Sequence, residues 1–171
     1  MAPDSRSKTR PRRPLKRGKA GKAVEFGHMI QIQQVASKFI TDYGVFEKRP
    51  VEHELIGSVL KSHCSLFGDY PDSLAADKGY YHSTDTLERL REKVAVVSIA
   101  KKGKRTAEEV AVEHDPLFRH AQRFRAGVEG TISFLKRVLR LGRCINKGWD
   151  HFVSTVAQTI FTHNLLVLAR C

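Results

Sequence analysis

From Val24 onward the apolar residues change their period several times, and the order of those changes leaves few folds open. Val24, Phe26, His28, Ile30 and Ile32 alternate with Glu25, Gly27, Met29, Gln31 and Gln33, the period of two that marks a strand. Residues 39–46 are β-rich again through Ile40, Thr41, Tyr43 and Val45, and the short link predicts an antiparallel hairpin. Val51, Leu55, Val59 and Leu60 then fall at helical spacing, with Gly68 as the stop. A short apolar run from Leu74 ends in Asp77, and Ser83 or Thr84 caps a helix through Leu87 and Leu90. Residues 94–99 form a compact β-branched run, read as a buried strand. Thr106 and Glu109 have the spacing of a capping box. After Pro116, the residues Phe118, Ala121, Val128, Ile132, Leu135 and Leu139 line one helical stripe that Gly142 ends. A last helix starts near Asp150, with Phe152, Val156, Ile160, Leu165 and Leu168 on its apolar side. The order is strand, strand, helix, strand, helix, strand, helices, which predicts an α/β fold with a mixed sheet.

Residues 1–22 stand apart. Arg6, Lys8, Arg10, Arg12, Arg13, Lys16, Arg17, Lys19 and Lys22 face one acid, Asp4, among three prolines. Such a segment has too little apolar surface to fold alone, so a basic disordered arm is expected there and a folded domain over 23–171. It reads equally as a phosphate-binding arm or as a leader without a role. The whole chain carries 30 Lys and Arg against 18 Asp and Glu, a net charge of +12. That excess points to a polyanionic partner, nucleic acid before an anionic membrane surface. No apolar run reaches the ~20 residues of a membrane span. Cys64, Cys144 and Cys171 are far apart and form no C-x-x-C pair, as expected of reduced thiols in the cytoplasm. Gly18 to Lys22 lacks the spacing of a P-loop, no G-x-S-x-G elbow is present, and His114-Asp115 before Pro116 reads as a helix-start turn.

Two acids are candidates for chemistry. Asp77 follows a short strand in Ala75-Ala76-Asp77-Lys78-Gly79-Tyr80-Tyr81, at the kind of strand end where α/β sheets carry function. By itself it reads first as a turn-forming aspartate, which is common after strands. Glu129 lies in the long helix, with Arg125 four residues before it and Lys136 seven after, all on one face. Alone, Glu129 reads as a surface ion pair. Taken together, an acid after a strand and a helical acid flanked by cations suit two-metal phosphoryl transfer, in which carboxylates hold Mg²⁺ and basic residues hold the DNA backbone.

At these segments the chain resembles bacterial insertion-sequence transposases of the DDE superfamily. Residues 18–28 resemble the stretch that leads into the catalytic region of that group. Residues 75–81 resemble the segment with the second catalytic aspartate, and Arg123 to Gly130 the segment with the catalytic glutamate. One branch has a Tyr-x₂-Arg-x₃-Glu-x₆-Lys signature, which Arg125, Glu129 and Lys136 match, while Gln122 stands where the tyrosine is expected. The resemblance implies a ribonuclease H-like fold, with Asp77 and Glu129 as catalytic metal ligands for two Mg²⁺ or Mn²⁺ ions. It also implies that Arg125 and Lys136 contact DNA, the partners being transposon ends and target DNA, with a homodimer on DNA by analogy. Lys101, Lys102, Lys104 and Arg105 are a weaker extension of that DNA surface, or a solvated loop.

The group's first strand, with its first aspartate, should precede Val24, but residues 1–22 contain only Asp4. That strand is central in the fold, so a sheet with a gap in its middle is expected, and with it a truncated or frame-shifted product. Three functions follow. The leading one is metal-dependent DNA cleavage and strand transfer at transposon ends. The second is a non-catalytic DNA-binding remnant of a transposase. The third is a basic structural or ribosome-associated protein.

Overall fold

The computed structural model describes residues 14–16, 24–26, 28–143 and 148–170. The expected run of strands and helices is present, with strands β1 (Pro14–Lys16), β2 (Val24–Phe26), β3 (Met29–Gln34) and β4 (Ile40–Phe46) leading. They are followed by α1 (Leu55–Phe67), β5 (Ser73–Ala76), α2 (Thr84–Arg91), β6 (Val96–Ile99), α3 (Ala107–His114), α4 (Pro116–Arg137) and α5 (Trp149–Leu168). Short 3₁₀ turns at Glu52–Glu54 and Lys78–Tyr80 precede α1 and follow β5. The expected first strand is divided at residues 27–28 into β2 and β3. Within the arm expected over 1–22, Pro14–Lys16 is a strand paired antiparallel with Val24–Phe26. That pairing satisfies backbone groups locally, which composition cannot anticipate. The rest of 1–22 lies outside the described residues.

Among the described residues the strands form three two-stranded sheets instead of one mixed sheet: β1–β2, the antiparallel hairpin β3–β4, and the parallel pair β5–β6. Each of the last two backs onto its own core. Leu74, Ala76, Val97 and Ile99 pack with Ile56 and Leu60 of α1 and Leu87 and Leu90 of α2. Ile30, Ile32, Ile40 and Val45 of the hairpin pack with Leu135 of α4 and Val156 and Ile160 of α5. Two cores can each be satisfied without a ladder between their strands.

The caps follow local chemistry. Ser83 accepts the Thr86 N–H and so is the cap of α2, and Thr106 with Glu109 forms the complete capping box of α3. Asp115 accepts from Leu117 and Phe118 to start α4 at Pro116, as a helix-start turn should. Gly68 closes α1 at φ 84°, a left-handed conformation that glycine adopts without a Cβ penalty.

The apolar faces differ from the expected stripes in three places. In α1 the buried residues are Ile56 and Leu60, and Val51 before it is half exposed. α4 ends at Arg137 instead of at Gly142. There the chain leaves the helical ladder: Leu141 and Gly142 donate to the Leu135 and Lys136 carbonyls, with Arg140 left-handed at φ 60°. In α5, Val156, Thr159, Ile160 and His163 are buried while Leu165 and Leu168 are exposed. The reason is polar: Asn164 donates to the Ile40 carbonyl and accepts its N–H, and His163 bonds the Lys38 carbonyl. Two polar side chains meeting backbone at the hairpin turn set the rotation of α5, and Leu165 and Leu168 rotate outward. Among the described residues no helix is long and apolar enough to cross a membrane.

This packing predicts different costs along one helix. Leu135→Ala, at a side chain 2% exposed, should destabilise the chain by about 2–5 kcal/mol. Ile132→Ala, at 36% exposure on the same expected stripe, should cost well under ~1 kcal/mol. Urea unfolding midpoints check both, and equal costs would contradict the packing described.

Candidate active site

Asp77 follows the last residue of β5, at the carboxyl end of a strand that runs parallel to β6. Its two oxygens have separate tasks. Oδ1 accepts the Lys78 N–H at 2.7 Å and starts the 3₁₀ turn, so the turn-forming reading holds. Oδ2 faces α4, where Arg125 Nη2 lies 3.2 Å away. The other terminal nitrogen of the same guanidinium, Nη1, lies 2.9 Å from Glu129 Oε1, one helical turn further on. Asp77 and Glu129, 52 positions apart in sequence, thus share one cation. Both carboxylates are largely exposed, at 62% and 64%, whereas Arg125 is 27% exposed.

Helix α4 is held in this position by a polar staple to β6. The buried Ser98 donates its hydroxyl to the Phe118 carbonyl at 2.9 Å. Gln122 returns its side-chain N–H to the Ser98 carbonyl at 2.7 Å. Gln122, three residues before Arg125, therefore ties the helix to the strand.

The turn after Asp77 meets the hairpin and the start of α1. The side chain of Gln31 of β3 lies beside the Tyr80 phenol. Burial, and then the nearby charges of Glu52 and Asp77, push that phenol up to about 12. Glu52 is paired with Arg49, and its carboxylate lies against the backbone of Gly79. A methyl at Gly79 would displace only the free end of that flexible side chain, and no positive φ is needed there. His53 and His82 stack at 4.1 Å between ring centroids beside this junction.

The basic residues expected on a DNA surface are distributed unevenly. Lys101 points to Glu109, with contacts of 2.6 and 2.9 Å, and Arg105 to Glu113, so both are neutralised by acids of α3. The hydrogen bond to Glu109 raises the Lys101 ammonium and, in return, lowers the Glu109 carboxyl. Lys102 reaches the Gly79 carbonyl at 3.2 Å, beside Asp77. Lys104 and Lys136 are exposed. Arg119 and Arg123, which sequence reading passed over, line an open groove with Ala100, Glu113, Gln122 and Ala126.

The oxygen donors of Asp77 and Glu129 are hard ligands of the kind that suit Mg²⁺ or Mn²⁺. The arrangement itself shows that a cation is accommodated between them, since a guanidinium sits there. Among the described residues, no group of three His, Cys, Asp or Glu side chains is placed to hold a metal ion. The family model described as Transposase DDE domain matches residues 16–165, which include both acids, Arg125 and the staple. The chain belongs to this family. No curated protein and no solved structure matches it. The match runs from the end of β1 to most of α5, so the two cores and both acids lie within the transposase DDE domain.

Tyr80 supplies a pH test of the junction between the hairpin and the Asp77 turn. Its folded value of about 12 lies above the ordinary 10.0, so its contribution to stability is full below pH 10 and is lost as pH rises towards 12. Tyr80→Phe should remove part of the alkaline loss of stability between those values. Urea midpoints of both proteins across that range would show it, and identical alkaline slopes would refute it.

Proposed function

We propose that this transposase DDE domain acts on DNA by metal-dependent phosphoryl transfer, at transposon ends and target DNA, with Asp77 and Glu129 as metal-holding carboxylates. The observation that carries the reading is the shared guanidinium: residues remote in sequence are gathered into one acidic pair around a cation. When bound, two Mg²⁺ or Mn²⁺ ions would stabilise the attacking and leaving oxygens of an in-line displacement. The protein's part is to hold and orient. Asp77 is aimed by its own turn, Glu129 by a helix stapled to β6, and Arg125 offers a fork of donors that matches a phosphate. Lys102, Lys104 and Lys136 extend the basic surface, while Lys101 and Arg105 are engaged with α3. A ribonuclease H-like arrangement is supported by the parallel pair β5–β6 ending at Asp77 and by the separate antiparallel hairpin. A cytoplasmic enzyme that pairs two DNA ends as a dimer is the corresponding whole.

A second reading is favoured by one observation: no third acid joins the pair among the described residues. On that reading, this chain is a non-catalytic DNA-binding remnant, and a further carboxylate must be supplied for cleavage.

Two measurements test the proposal. The purified chain should bind duplex DNA with a strong salt dependence, and Lys104→Ala or Lys136→Ala should each reduce the log–log salt slope by about one. Mn²⁺ binding, followed by calorimetry, should weaken by roughly tenfold or more in Asp77→Asn and in Glu129→Gln. Metal binding indifferent to both substitutions would sink the proposal. Mn²⁺-dependent nicking of plasmid by the wild-type chain, lost in both variants, would select the catalytic reading. DNA binding that survives both variants, with no nicking by any of them, would select the remnant.

A further inference from the structure

Arg125 differs from the other described ion-paired bases. Arg49, Lys101 and Arg105 each pair with a single acid, Glu52, Glu109 and Glu113. Arg125 divides its two terminal nitrogens between acids carried by different elements, one after β5 and one on α4. Two carboxylates brought together repel one another unless a cation lies between them. The guanidinium therefore does electrostatically what a divalent ion would do at the same place, and two cations cannot share the position. Exposed ion pairs are weak, so an ion of twice the charge can displace it.

We propose that Arg125 is an internal counter-cation, holding Asp77 and Glu129 together in the metal-free chain, and that a divalent ion displaces it and frees its guanidinium for a DNA phosphate. This rests on the reading of Asp77 and Glu129 as metal-holding acids. The same side chain then serves two states. Without metal it neutralises the acids; with metal it turns its fork of donors to an anion that the freed charge attracts. Metal arrival and phosphate binding are thereby coupled, and the coupling must be reciprocal.

The test is Mn²⁺ titration calorimetry on the full chain without DNA. Removal of the competing cation in Arg125→Gln should tighten Mn²⁺ binding by roughly threefold to tenfold, with Arg125→Lys between that variant and wild type. Unchanged or weaker binding in Arg125→Gln would overturn the proposal, since a residue that merely positions the acids lowers affinity when removed. A linkage measurement gives a second, independent reading. Mn²⁺ should strengthen binding of a short duplex oligonucleotide to the wild-type chain at constant ionic strength, and Arg125→Gln should lose that gain. An equal gain in both proteins overturns the release of Arg125 to phosphate. The two levels separate cleanly. If Asp77→Asn and Glu129→Gln leave Mn²⁺ affinity intact, the metal-holding reading itself fails. If they abolish it while Arg125→Gln binds no more tightly than wild type, only the counter-cation role fails.

Discussion

The hydrogen bond from the buried Ser98 hydroxyl to the Phe118 carbonyl, answered by Gln122 donating to the Ser98 carbonyl, fixes α4 on β6. A buried polar group left unpaired costs free energy, so these partners resist separation. Much else depends on the contact. One turn beyond Gln122, α4 carries Arg125 past the end of β5, and the next turn carries Glu129; six residues after Glu129, Leu135 enters the other core. α4 is therefore the beam between the parallel pair and the hairpin, and the acidic site lies along its middle.

That arrangement explains how, among the described residues, separate two-stranded sheets still bring Asp77, Arg125 and Glu129 together. The hairpin is anchored at the Ile40 edge by Asn164 and at its turn by His163, both from α5. The parallel pair is closed by α1 and α2. Between them, Tyr80 lies beside Gln31, and Glu52 against Gly79. These contacts bring the turn after Asp77 against the hairpin, close to the charge that Arg125 neutralises. Electrostatics and packing meet at the same few residues.

The charge of +12 looks uniform in composition but not in space. Lys101 and Arg105 belong to a basic run in the chain, yet they serve to fasten α3, whose capping box already uses Glu109. Two exposed cations flank the acids: Lys102 at the Asp77 turn, and Lys136 seven residues beyond Glu129. Within residues 101–105, Lys101 and Arg105 are paired with α3, while Lys102 reaches the Gly79 carbonyl.

Much was legible in the sequence, because it depends on neighbours along the chain. Strand and helix periods, the Ser83 and Thr106 caps, the Asp115-Pro116 start and the acid at the end of β5 are local facts, each satisfied within about one turn of backbone. The transposase DDE family could be read from the segments around Asp77 and Glu129 for the same reason, since each motif is contiguous. Tertiary structure alone decided what joins across distance. The end of α4 at Arg137, the outward turn of Leu165 and Leu168, and the division of the sheet over two cores follow from contacts between remote elements. So does the site. Arg125 and Glu129 are an i,i+4 pair on any helix, but only the folded chain sets Asp77 against the other side of that guanidinium, because electrostatic attraction acts through space and the sequence orders residues along a line.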